Sequence, residues 1–481
     1  MATIKKNFFY SSILTTANYI FPFLTYPYVS RVLGVNNIGI CNFVDSIINY
    51  FILFSMMGIS IVGIREIAKS KNDKKQLDRT FSSLFLINTI STSIVLVVLC
   101  ISIYTVPKFY AYKELLFLGV FKLAFNYLNV DWLYRGLENF KYITIRTLVV
   151  KCMYVICVYI FVHEKGDYII YYALLCGMTI VNAVINIVYS RHFVHITGKA
   201  LMLKPFVKPF LTLGLYTFLT SMYTSFNVAY LGFTSGETEV GYYTTATKLY
   251  TILLAIFTAF TGVLLPRMSS LISEGKIDEF RGLLKKSVDI LFAFAIPTII
   301  FATIMAPEII EIISGKGYEG AIVPMRIVMP LMLVIGYEQI LIIQTLMPLK
   351  EDKIILRNSI LGAVSGLLMN ILLVGHLHSV GSAFVWIISE LVVLTSAQVF
   401  LSRHYDIHFP LKRLLKSIVY HVPLLICVWL ITMIDVNIFI TILIAAILLV
   451  LYCIVLQVFI LRNETIVSLY NKYFVSLVLK K

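Results

Sequence analysis

Apolar runs of about 20 residues, the length of helix that crosses a hydrocarbon core, recur along almost the whole chain. They fall at 8–30, 38–63, 81–106, 115–134, 147–162, 168–190 and 210–233. The rest fall at 240–266, 287–306, 323–346, 355–375, 380–401, 417–433 and 438–461. Backbone that must satisfy its own hydrogen bonds in lipid makes each run a helix, so the chain reads as an all-α integral membrane protein of about fourteen transmembrane helices. Only 14% of residues are charged and 59% are hydrophobic, against about 25% charged in soluble domains. An ordinary soluble fold is excluded.

The net charge of +15 raises nucleic acid as a partner, but the basic residues sit in short loops between apolar runs and form no binding patch. They cluster after the even-numbered spans: Arg65, Lys69, Lys71, Lys74, Lys75 and Arg79, for example, then Arg135, Lys141 and Arg146. That asymmetry predicts cytoplasmic even loops and two cytoplasmic termini. Residues 1–6 lead into the first span with no small-residue cleavage motif, which reads as an uncleaved targeting segment and a bacterial inner-membrane location. The loops on the other side (PKFYAYKE, HEKGD, TSGETE, GHLHS, IDVN) leave no room for an external catalytic domain. All seven cysteines lie in apolar runs without zinc or disulfide spacing, and no P-loop motif occurs. No metal site and no catalytic residue is read, and His376 and His378 alone make no ligand set.

A weak internal repeat appears at an offset of about 200 residues, or six spans. Leu33–Gly34 and Ile38–Gly39 open the second span as Leu231–Gly232 and Val240–Gly241 open the eighth. The expected architecture is therefore two pseudo-symmetric six-helix lobes, 1–208 and 209–404, followed by two C-terminal helices and a tail in 405–481.

Charge inside the spans marks candidate function. A lysine in the bilayer costs roughly 2.5–3.5 kcal/mol on insertion scales, so it needs a partner or water. Lys248 shares a helix face with Thr244, Thr251 and Thr258. Lys122, Arg31 and Arg326 are the other cations expected in the outer third of their spans, against one acid, Asp45. These four are the candidate anion-binding residues; the alternative is snorkelling or an ion pair to Asp45 for Lys248 and Lys122, and interfacial anchoring for Arg31 and Arg326. Asn18, Asn42, Asn126, Tyr223, Asn227, Thr244 and Thr251 supply polar faces for a cavity; interhelical hydrogen bonding is the plainer reading of the neutral ones. Asp45, Glu338 and Glu390 are candidates for ion coupling. Phosphate suits Lys and Arg, so a pyrophosphate or acidic sugar is the expected guest.

PFLTYPYVSRVLGVNNIG at 22–39, DWLYRGLENFKYITIRTLVVK at 131–151 and EVGYYTTATKL at 239–249 resemble the Wzx-type polysaccharide flippases, in the MOP superfamily that also holds MATE exporters. The resemblance covers nearly the whole chain through soft motifs. It implies the two-lobe fold and export of an undecaprenyl-pyrophosphate-linked oligosaccharide by alternating access through a cationic central cavity, with Pro22 and Pro27 letting the first helix bend. It also implies basic residues at Lys248 and Arg31, the lipid bilayer and a polysaccharide polymerase machinery as partners, and a proton or sodium gradient in place of a cofactor. A lipid II flippase, a MATE-type drug antiporter and a membrane sugar polymerase are the alternatives. A basic outer third disfavours the drug antiporter, and short outer loops disfavour the polymerase.

Overall fold

A computed structural model describes residues 2–198, 201–434 and 436–461. The tail expected after the last span thus lies largely outside the described residues, as does the side chain of Tyr223. Every regular element among the described residues is helical. Ten stretches are long and apolar enough to cross a membrane. Two of them, Phe9–Ser70 with 62 residues and Asp352–Tyr405 with 54, each take in two expected spans. The longer would measure about 90 Å if straight, three times the hydrocarbon thickness. It is broken instead at Gly34, whose φ of 76° leaves the helical region, and the other is broken at His378, with φ of 52°. The backbone stays helical through Pro22 and Pro27. Arg31 Nη1 donates to Pro27 O at 2.6 Å, and Thr25 Oγ1 donates to Phe21 O and Pro22 O.

Several expected spans are not single helices. The run 115–134 resolves into Lys113–Asn126 and the short helix Asp131–Gly136, and 210–233 resolves into Lys204–Thr224 and Phe226–Ser235. Other spans follow the hydropathy closely, Tyr168–Ser190 and Glu237–Ser273 among them. Lipid-facing surface is visible in the pattern of exposure. Ile94, Val97 and Ile101 on the helix Lys74–Thr105 are 57–60% exposed at i, i+3 and i+7, the apolar stripe that only a hydrocarbon solvent leaves uncovered.

The chain divides into two compact units. The first comprises Met1–Thr244 and Asn370–Ser382, the second Thr245–Met369 and Ala383–Lys481. The core of the first gathers Ile59, Val62 and Ile67 with Phe81 and Leu84 around the helix Asp131–Gly136. Trp132 stacks on Phe81 at 5.4 Å and lies against Gly63, where a Cβ would come within 2.6 Å of the indole.

The repeat seen in the sequence has a physical counterpart inside this unit. A Cβ on Gly39 would fall 1.7 Å from Glu237 O, and one on Gly241 would fall 2.3 Å from Val35 O. At an offset of 202 residues Val35 corresponds to Glu237 and Gly39 to Gly241, so the two pairings are reciprocal. Asn42 Nδ2 donates to Thr244 Oγ1 at 2.9 Å, and Thr238 Oγ1 donates to Asn36 Oδ1 at 3.1 Å, each across 202 residues. A twofold relation between two like segments requires such self-matching contacts wherever the segments meet on the axis. Glycine is needed here because two backbones approach too closely for any side chain.

In the second unit Ile277–Ile304 packs against Leu331–Leu341 and Leu411–Thr432. The helix Leu331–Leu341 continues into a wider turn at Ile342–Leu346, where Thr345 Oγ1 donates to Ile340 O at 3.0 Å.

Candidate functional site

The second half of the helix Ala2–Met56 presents Asn42, Asp45, Ser46 and Asn49 at i, i+3, i+4 and i+7, one face of a helix. With Tyr50, Ser225, Val228 and Thr244 they line a cavity of about 320 Å³ within the first unit. Lys113–Asn126 brings Lys122 to it from behind. Lys122 Nζ donates to Asp45 Oδ1 at 2.6 Å and to Asn49 Oδ1 at 3.0 Å, while Asn49 Nδ2 donates to Asp45 Oδ2 at 2.9 Å. The three side chains close a ring of charge-assisted bonds.

Exposure is unequal across the pair: 11% for the lysine side chain and 28% for the aspartate. Asp45 faces the cavity, and Lys122 reaches it mainly through Asp45. The sequence sets four cations against a single acid; in the structure that acid is spent on Lys122, and the ring is neutral as a whole. The alternative named at the outset, an ion pair, is what the geometry holds. It remains a charged group that an anion could reach by displacing the carboxylate.

The other expected residues are distributed. Asn126 is buried one turn along from Lys122 on the same helix, and Asn42 is bonded to Thr244. Asn227 is fully buried, accepts from Asn370 Nδ2 at 2.9 Å and donates to Ser382 O at 3.5 Å, so it closes packing inside the unit and does not line the cavity. Asn18 is exposed and accepts from Lys151 Nζ at 2.8 Å. Arg31 lies exposed beside its own helix, and Arg326 is exposed with Nε donating to Thr303 O at 3.1 Å. Lys248 is half-buried on Glu237–Ser273, one turn past Thr244, and Thr251 is exposed and donates to Thr247 O at 2.8 Å.

Glu338 and Glu390 are both buried in the interior of the second unit. Trp386 Nε1 donates to Glu390 Oε1 at 3.0 Å, while Glu338 Oε2 is buried with no bonding partner. No cluster of three or more potential metal ligands occurs among the described residues.

Two further cations lie inside the spans of the first unit, Arg146 and Lys151. Arg146, 4% exposed in its side chain, pairs with Asp131 at 2.9 Å, and Asn186 Nδ2 donates to Asp131 Oδ1 at 2.7 Å and to Asn129 Oδ1 at 2.5 Å. Lys151, flanked on both sides by apolar residues, was the plainest available signal. Arg146 sits among the basic residues that follow the fourth apolar run, yet it lies within the helix Phe140–Phe161.

Comparison with known proteins identifies the family and the fold. The family described as "Polysaccharide biosynthesis protein" matches residues 4–272. An Escherichia coli (strain K12) protein named "Putative O-antigen transporter" is 26% identical over 399 residues, which cover 81% of this chain and 95% of that protein. A Shigella dysenteriae protein of the same name is 25% identical over 399 residues, covering 81% and 98%. Among solved structures, the lipid II flippase MurJ in an inward closed conformation superposes with a TM-score of 0.74 at 15% identity, covering 93% of this chain and 98% of that one. An outward-facing multidrug resistance MATE family transporter of the MOP superfamily gives 0.55 at 16% identity, covering 83% and 94%. At such identities the structural likeness establishes the fold.

Proposed function

Because the chain belongs to the polysaccharide biosynthesis protein family and two of its relatives are named as putative O-antigen transporters, we propose that it flips undecaprenyl-pyrophosphate-linked oligosaccharides. The direction is from the cytoplasmic to the periplasmic leaflet of a bacterial inner membrane, by alternating access. The protein is not an enzyme on this reading, and its product passes to a polysaccharide polymerase machinery outside. Both termini are taken as cytoplasmic, from the loop charges.

The observation that carries the reading is the Lys122–Asp45–Asn49 ring at the edge of a polar cavity in the first unit. A sugar finds hydroxyl and amide partners in Asn42, Ser46, Tyr50 and Thr244. Its pyrophosphate competes with Asp45 for the ammonium of Lys122. Lys248, Arg31 and Arg326 are assigned as further cationic contacts along the path, and the polyprenyl tail stays in lipid. Binding must favour one conformation differentially to drive the cycle. Glu338 and Glu390 are assigned to coupling, exchanging a proton or a sodium ion with the gradient.

Flipping of a defined pyrophosphate-linked saccharide in liposomes, with and without each ion gradient, tests the function. No movement of the lipid by protein that is folded and inserted would refute it. A lipid II-type substrate is the second reading, favoured by the 0.74 superposition on a lipid II flippase. The same liposomes loaded with either lipid decide between them.

A further inference from the structure

We propose that the second unit carries a binding site for an anionic phospholipid, at the membrane end opposite the short loops. A cavity of about 650 Å³ opens there between Ile277–Ile304, the end of Leu331–Leu341 and the connection 406–410, within the range of about 300–1,000 Å³ typical of ligand pockets. Its depth is apolar: Leu284, Val288, Tyr337, Ile340 and Phe409 form the walls. Arg281 to Val288 is seven residues of helix, so the cavity runs about 10 Å inward from its mouth, the distance from a headgroup to the upper acyl chain.

The mouth is cationic. Arg281, Lys285, Lys412 and Arg413 surround it, with His408 and Asp406 paired to each other at 2.9 Å. Arg413 is held by Asp289 at 3.3 Å, and Arg281 Nη2 donates to the carbonyl of Tyr405 at 3.2 Å. No carboxylate pairs with Lys285 or Lys412 among the described residues, and both are exposed. An excess of positive charge above an apolar slot matches a headgroup with a negative phosphate over an acyl chain.

The slot is also built, not merely left between loose segments. Tyr337 Oη donates to Gln398 Oε1 at 2.7 Å, and Gln398 Nε2 donates to Ile407 O at 2.7 Å. The ring of Tyr337 stands edge-on to Phe409 at 5.2 Å and 90°. This chain of contacts fixes the connection 406–410 as a wall, with Asp406 turned into the left-handed region at φ of 54°. A free phosphate would gain nothing from such walls. A zwitterionic lipid would fill them but leave the lysines unmatched. The occupant the chemistry selects is a diacyl phospholipid of net negative head, and the assignment is independent of the first-unit cavity and its cargo.

The test uses the full chain, delipidated in detergent and titrated with phosphatidylglycerol or phosphatidylethanolamine under native mass spectrometry. Wild type should retain phosphatidylglycerol preferentially. The exposed double substitution Lys285→Gln/Lys412→Gln should weaken that retention about ten- to thirtyfold, from about 1 kcal/mol per cation at a membrane surface. The charge-matched control Lys316→Gln/Lys353→Gln, also at exposed positions, should leave it unchanged. Equal retention of the two lipids, or equal loss in the control, overturns the proposal. So does displacement of phosphatidylglycerol by millimolar inorganic phosphate, which would make this a free-anion site. Preference of the same lysines for undecaprenyl phosphate also overturns it, because the slot would then hold the carrier lipid.

Discussion

Exchanging the partners of the Lys122–Asp45 pair one at a time should move anion affinity in opposite directions. Asp45→Asn keeps an oxygen that can accept from Lys122 Nζ, 2.6 Å away in the parent, and keeps Asn49 as the second acceptor, but it leaves the ring at +1. Lys122→Ala leaves an uncompensated carboxylate and a ring at −1. Two unit charges 4 Å apart interact by about 1 kcal/mol in water and about 4 kcal/mol at an effective dielectric of 20. The 28% exposure of Asp45 favours the lower part of that range, so a change of one charge is worth about 1.5–2 kcal/mol toward a phosphate. Asp45→Asn should therefore tighten binding of a pyrophosphate-linked lipid by about ten- to thirtyfold, and Lys122→Ala should weaken it by at least as much. Stability should fall in both. Breaking a fully buried pair costs about 3–5 kcal/mol, and partial exposure lowers that to about 2–3 kcal/mol. The double variant should regain much of the stability and return affinity toward the parent value, the non-additivity expected of contacting residues. Binding is read with a fluorescent pyrophosphate lipid in nanodiscs, and stability by thermal unfolding in the same preparation. If both single variants shift affinity the same way, or neither shifts it while both lose stability, the pair is structural glue and the anion binds elsewhere.

Lys248→Ala should abolish surface polysaccharide in a complementation assay while the protein stays at normal abundance in the membrane; normal polysaccharide would make the lysine structural. Glu338→Gln and Glu390→Gln should each flatten the dependence of flipping on the imposed gradient by about tenfold or more, at the scale of losing one charge-assisted contact, read in liposomes. An unchanged ion dependence removes them from coupling. Gly39→Ala places a Cβ 1.7 Å from Glu237 O, so it should destabilise by about 1–3 kcal/mol or more as overpacking does. Gly262→Ala, where nothing lies within 4 Å, serves as its control in thermal unfolding.

Hydropathy made the membrane helices legible because the bilayer fixes their length, and 168–190 was read with the bounds the structure has. Breaks imposed from elsewhere were not legible. The interruption after Asn126 contains neither proline nor glycine. It coincides with Asn186, from a distant helix, bonding both Asn129 and Asp131, a tertiary cause that no local pattern encodes. The same limit governed the charges. Sequence gives the depth of Lys122 and of Asp45 in their spans, but not the rotation of either helix, and the pair spans 77 positions. Four cations could be counted against one acid, yet which cation took the acid needed coordinates. By contrast the short repeat around Gly39 and Gly241 was legible as similarity, and its meaning became physical only when residues 202 apart were found touching.

The neutrality of the ring bears on what a flippase must do. A carrier that binds a multiply charged pyrophosphate with several uncompensated cations gains affinity equally in both of its conformations, and affinity shared by both states shifts no equilibrium. It also slows release on the far side. A lysine already satisfied by Asp45 and Asn49 behaves differently. The incoming anion must displace a carboxylate that stays 28% exposed at the cavity wall, so net affinity is the difference between two ion pairs and remains modest. That difference depends on whether Asp45 can swing into water, which is a property of the surrounding packing and therefore of conformation. On the function proposed above, a neutral pair would let the protein grip the anion in one state and return the lysine to its aspartate in the other, which a fixed excess of charge at that position would not do.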